Sequence, residues 1–171
     1  MQGVVDKYLT GYSSVVRERV RGLIDSGKLE DYLDARYSGT HTISNDASLR
    51  EYLLEIKGTY LKKSPPISKV VFDNKIHVIK NALGTHSYVN RVQGNKIKSK
   101  NEIRISAMFK QAPSEFLNMI VVHELAHIKE KDHNKSFYKL CQHMLPDYHQ
   151  LEFDFRLYLI GQFIQKQGVG V

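Results

Sequence analysis

Tryptophan is missing from this 171-residue chain and cysteine occurs once. No apolar run approaches the roughly 18 residues that a membrane span needs. A lone Cys141 excludes an internal disulfide and fits a reducing compartment. The opening MQGVVDKYLTGYSS has no basic cap followed by an apolar core, so a signal peptide is not expected and the reading is cytoplasmic. Internal repeats and low-complexity segments are absent too. What is there suits one soluble domain, or one domain with an extension: 42% apolar and 25% charged residues, in a chain long enough to bury a core.

The net charge of +7 is concentrated in one stretch. Between residues 75 and 110, Lys75, Lys80, Arg91, Lys96, Lys98, Lys100, Arg104 and Lys110 oppose the single acid Glu102, so this segment accounts for the whole excess. One reading is a solvated strand face whose lysines discourage edge pairing. The other is a surface for nucleic acid or an acidic partner. Few aromatics interleave with these charges, and no DNA or RNA recognition motif accompanies them.

Periodicity divides the chain. Residues 4–26 space their apolar positions by three and four, which predicts an amphipathic helix stopped near Gly27. LEDYLDARY at 29–37 reads as a short second helix. A third follows Ser44-Asn45-Asp46 and ends by Pro65-Pro66. KVVFD and KIHVIKN straddle Asn74 as strand, turn and strand; HSYVNRV and EIRISAMF alternate as two more, with Gly94-Asn95 as the turn between them. A helix then opens at Ala112-Pro113-Ser114-Glu115, another at Asn134, and a last one near Asp147. The expected division is a helical extension over 1–66 and a domain over 67–171 that carries the chemistry.

That chemistry centres on HELAHIKEKDH, residues 123–133. His123 and His127 lie one helical turn apart on one face and can take two corners of a zinc tetrahedron. Glu124 is rotated by about 100°, beside the metal rather than on it, where it can take a proton from an activated water. His133 would face away on a continued helix, about 240° round. The polar KEKDHN must therefore leave the helix between Ile128 and Asp132 to bring His133 back as third ligand. Three histidines and an open fourth position describe a catalytic site rather than a structural one. Glu152, His143 and His149 are the reserve ligands. Tyr138, Tyr148 and His149 are candidate donors to a developing oxyanion. His41, His77 and His86 read as surface or core-edge residues, and Cys141 as a buried inert thiol.

With those residues in place, VVHELAHIKEKDHNKSFYKLCQHMLPDY (121–148) resembles the YgjP-like zinc metallopeptidases, relatives of the SprT-like and WLM minimal zincins. The resemblance lies in the buried HELxH helix, His133, the pair Phe137-Tyr138, and Leu145-Pro146-Asp147. It weakens over 87–120 and is absent from 1–66. Where the family has an Arg-Trp-Gly-Ser-Cys-like stretch, this chain reads Arg91-Val92-Gln93-Gly94-Asn95. The His127–His133 spacing is also that of metzincins, without their glycine, whose place Glu130 takes.

The resemblance implies an α+β minimal zincin: a small sheet beside the HExxH helix, further helices after it, and one Zn2+ per chain. It also implies a peptide or protein substrate, held by edge pairing on the EIRIS strand and cleaved with Glu124 as general base. Two other classes stay open: a DNA-associated protease using the 75–110 segment, and a metal-binding module without turnover. No membrane partner is expected.

Overall fold

The computed structural model describes residues 2–76, 84–93 and 96–168; at position 2 and along 84–93 and 96–100 it describes the backbone course alone. The chain parts into two compact units, Met1–Ser38 with His149–Val171, and Gly39–Tyr148. These do not follow the expected 66/67 division. The helix before the prolines belongs with the strands, and the last helix belongs with the first ones.

The first unit is helical. The helix expected over 4–26 is two helices, α1 (Gln2–Tyr8) and α2 (Ser14–Asp25). Gly11 between them takes φ +91°, a conformation costly for any residue with a side chain. Ser13 then caps α2 by accepting the Val16 N–H at 3.3 Å. The Thr-Gly-Tyr-Ser-Ser signal outweighed a continuous apolar stripe. Gly27, at φ +67°, ends α2 as expected. After α3 (Leu29–Asp34), the unit is completed by the body of α7 (Tyr148–Gly168). Leu9, Val20, Leu33 and Phe155 are buried in this unit, as is Asp154 at 0% exposure. The Tyr32 hydroxyl donates to Asp154 Oδ1 at 3.0 Å, and the Tyr37 hydroxyl to Oδ2.

Among the described residues, the second unit carries a mixed three-stranded sheet in the order β1-β3-β2. It is formed by β1 (Ile67–Asp73), β2 (Gly84–Gln93) and β3 (Lys96–Ser106). β3 runs parallel to β1, from Ile67 opposite Asn101 to Asp73 opposite Ser106. It runs antiparallel to β2, from Gln93 opposite Lys96 to Gly84 opposite Ile105. Glu102 to Ile105 of the EIRIS stretch are therefore paired on both sides, with β1 and with β2. They offer no edge to a peptide, and that expectation is corrected. The strand expected at 75–81 and the turn at Gly94-Asn95 fall largely outside the described residues, although Lys75 N–H bonds Asp73 Oδ1 at 2.7 Å across the turn.

Helix α4 (Asp46–Tyr60), set by a capping box between Asn45 and Ser48, packs on β1. A 3-10 turn at Ala107–Lys110 follows β3 and leads to α5 (Ser114–Ala126), which packs on β2 and β3. Every residue of α5 from Met119 to Ala126 is buried, so this stretch is core helix, apolar on all sides except where it carries His123 and Glu124. α6 (Lys135–Met144) packs against it. The class is α+β. No helix among the described residues is long and apolar enough to cross a membrane.

Candidate metal centre

Three local decisions bring the histidines together. α5 places His123 and His127 one turn apart, with His127 as its C-cap. The helix then stops, slightly ahead of the expected 128–132 window: Lys129 and Glu130 both turn back to the Ala126 carbonyl, at 3.1 and 3.0 Å. Asn134 starts α6 by accepting the Phe137 N–H at 2.8 Å, so the polar link is held at both ends and His133 returns to the site.

The three Nε2 atoms converge. The 123–127, 127–133 and 123–133 separations are 3.3, 3.1 and 3.2 Å. A tetrahedral ion bound at 2.0–2.1 Å has ligand atoms about 3.3–3.4 Å apart, so this triangle is close to one face of a zinc tetrahedron. Among the described residues, no other set of histidines, cysteines and carboxylates could hold a metal.

Hydrogen bonding prepares the imidazoles as ligands. His127 Nδ1 lies 2.8 Å from the Glu130 carbonyl, which only accepts. Nδ1 therefore carries the proton, and Nε2 presents a lone pair. Burial holds His127 below the ordinary imidazole value despite the opposing pull of the Glu130 and Lys131 carbonyls, which keeps the ring neutral. His123 Nδ1 is 2.6 Å from the hydroxyl of the fully buried Tyr148. With Nδ1–H donating to that oxygen, the His123 Nε2 also presents a lone pair towards the other two histidines. Beneath the cluster lies Phe137, fully buried, its ring centroid 5.0, 4.6 and 4.9 Å from those of His123, His127 and His133.

Glu124 supplies the second half of the fit. It is 1% exposed, and neither carboxylate oxygen has a hydrogen-bond partner. Burial pushes its carboxyl up to about 8. An orphaned carboxylate in an apolar helix is expensive unless something enters the site to use it. A divalent cation held by the neighbouring imidazoles, together with its water, fits that need.

The remaining candidates separate cleanly. Glu152 pairs with Arg156 at 3.3 Å, and His143 stacks edge-on with Tyr60. Neither joins the histidine cluster, and nor does His149. Tyr148, a candidate oxyanion donor from sequence, is committed to His123. His41 accepts the Ile43 N–H at Nδ1 and meets the Phe109 carbonyl at Nε2, pinning the loop before α4. Cys141 is buried. His77 and the side chain of His86 lie outside the described residues. Sequence reasoning missed the roles of Phe137 and Tyr148. The Asn134 cap, which fixes where Phe137 sits on α6, was the available signal for the first.

Comparison with known proteins now bears on this geometry. A family model described as "YgjP-like, metallopeptidase domain" matches residues 90–156, which include all three histidines, Glu124, Phe137 and Tyr148. A relative named "UTP pyrophosphatase", from Escherichia coli (strain K12), is 57% identical over 152 residues, covering 89% of this chain and 91% of the relative. The chain belongs to the YgjP-like family. A match of that length runs well into the helical first 66 residues, so the likeness of this YgjP-like chain to its relative is not confined to the domain around the metal centre. No solved structure matches the chain.

Proposed function

We propose that this YgjP-like chain is a zinc-dependent hydrolase whose substrate is a nucleoside triphosphate such as UTP, cleaved to the monophosphate and pyrophosphate. The observation that carries hydrolysis is the convergence of three imidazole Nε2 atoms beside a buried carboxylate with no partner. Three neutral nitrogen donors suit a first-row transition ion better than magnesium, which prefers oxygen ligands. Zinc bound there would polarise the substrate and lower the pKa of a water.

The residues of the chain do the rest. His123, His127 and His133 would hold the ion, while Tyr148 and the Glu130 carbonyl fix the orientation of two of them. Glu124 takes the proton of the attacking water at a carboxylate oxygen. The water oxygen bonds to phosphorus as the bridging P–O bond between the α and β phosphates breaks, and pyrophosphate departs with that electron pair. Pyrophosphate is a far better leaving group than an amine, so Glu124 need not return its proton for the bond to break.

The phosphoanhydride substrate is supported by the name of the relative and by the cationic 75–110 segment, which favours a polyanion. A peptidase is the second reading, favoured by the description of the family model. The filled edges of EIRIS remove one argument for it. Zinc-loaded protein incubated with UTP should yield equal amounts of UMP and pyrophosphate. Peptide-library cleavage without any UTP turnover would instead favour the peptidase.

A further inference from the structure

The charge balance of the second unit specifies how such a substrate is held; this step rests on the triphosphate reading above. A nucleoside triphosphate carries roughly four negative charges near neutral pH. One divalent ion on three neutral imidazoles offsets half of them, and Glu124 adds a further negative charge when ionised. Among the described residues there is no second group that could hold another metal. Cations of the chain can meet the remaining charge.

Not every cation of the basic segment is available. Arg104 is bonded to Asp73 at 3.4 Å and lies 3.9 Å from Glu102, and Lys110 sits over the Phe72 ring. Between Asp73 and Glu102, however, the sequence holds no acid at all. Within that span Lys96, Lys98 and Lys100 occupy alternate positions of β3, and Arg91 of β2 is in register with Lys98. Here β3 has run past its pairing with β1, which begins at Asn101, and among the described residues it pairs with β2 alone, as a ribbon. The same two strands pack on α5, the helix that carries His123, Glu124 and His127.

We propose that the β2–β3 ribbon is the triphosphate-binding element, in which Arg91, Lys96, Lys98 and Lys100 recognise the phosphate chain that a single metal ion leaves half neutralised. The competing role for these lysines, guarding an open strand edge, makes no demand for phosphate.

The test uses inorganic tripolyphosphate as a probe of binding and UTP as a probe of turnover, on full-length zinc-loaded protein. Lys98→Glu/Lys100→Glu should weaken tripolyphosphate binding at least about tenfold and flatten its salt dependence, with zinc content unchanged. The KM for UTP should rise by a similar factor, with kcat changed much less. Lys98→Gln/Lys100→Gln, a milder pair in case charge reversal disturbs the fold, should move both quantities in the same direction by less. Unchanged tripolyphosphate affinity in both variants overturns the proposal, leaving edge protection as the role. So does a loss of duplex-DNA binding with tripolyphosphate affinity intact, which assigns the ribbon to nucleic acid. If wild-type protein binds tripolyphosphate through these residues but never hydrolyses UTP, the ribbon stands and the proposed reaction falls. If UTP is hydrolysed with a KM indifferent to them, the reverse holds.

Discussion

Two carboxylates are buried almost equally deeply, Asp154 at 0% exposure in the first unit and Glu124 at 1% in the second. Asp154 has a tyrosine hydroxyl on each oxygen. Glu124 has none on either. A charge taken from water keeps its stability when hydrogen bonds replace the lost solvent, and loses it otherwise. Asp154 therefore reads as part of the framework, joining α7 to the segment that carries Tyr32 and Tyr37. On the proposed mechanism, the partner of Glu124 arrives with the metal and the substrate. The difference separates the two positions more sharply than burial or residue type alone, since both are nearly the same there.

The largest expected effect is on turnover. Glu124→Gln should lower the UTP hydrolysis rate by about 10²–10⁴-fold while zinc content holds, because the proposed mechanism makes the residue a base and not a ligand. Zinc lost in proportion to activity would make Glu124 part of the metal shell and erase the contrast with Asp154. His127→Ala, by comparison, should lose zinc and activity together.

The same substitution should change how stability responds to pH in metal-stripped protein. Burial raises the folded-state pKa of Glu124 from the ordinary 4.5 to about 8, so the folded form holds a proton that the unfolded chain has released. Stability from this group is complete below about 4.5 and is lost as pH rises towards 8. His127 is shifted down, so its own penalty appears only as pH falls below about 6.5. Between pH 6.5 and 8 the slope belongs mainly to Glu124. Denaturant midpoints across that window should fall with pH in the wild type and stay nearly level in Glu124→Gln. Parallel slopes would mean that the carboxylate is already satisfied.

Tyr148 offers a smaller effect of a different kind. Tyr148→Phe removes the hydroxyl facing His123 Nδ1 and should weaken zinc binding about 10–100-fold in a chelator competition, a typical range for residues that orient a ligand. Unchanged affinity would leave the tyrosine as packing only.

The histidine cluster was readable from sequence because its determinants are local. Four-residue spacing sets His123 beside His127, and the polar KEKDHN link followed by an Asn134 cap was enough to bring His133 back. What escaped depends on contacts distant in sequence. That EIRIS lies mid-sheet follows from parallel pairing with β1 some 33 residues away, which alternation within the strand cannot report. The Tyr148–His123 and Tyr37–Asp154 bonds span 25 and 117 residues. The break at Gly11 was local and still missed, because the apolar stripe on both sides continues in phase across it.

Asp154 gives the smallest effect on function and the other half of the comparison. Asn keeps the shape and one acceptor, but its amide nitrogen then faces the second tyrosine, which must rotate its hydroxyl to accept. The buried network also loses a charged acceptor, the stronger kind of hydrogen-bond partner. Asp154→Asn should therefore cost about 1–3 kcal/mol of stability, visible as a fall in melting temperature of about 2–4 °C for each kcal/mol. Tyr37→Phe should cost less, because the Tyr32 hydroxyl still reaches the carboxylate. Burial and the bond to Asp154 both push the Tyr37 hydroxyl above its ordinary value, so it stays protonated and donating at any pH the fold survives. Well below the melting temperature, zinc content and UTP turnover per folded molecule should match the wild type in both variants. A hundredfold loss of turnover in Asp154→Asn at unchanged melting temperature would put this carboxylate in the chemistry, and hydrogen bonding would no longer separate framework from active site.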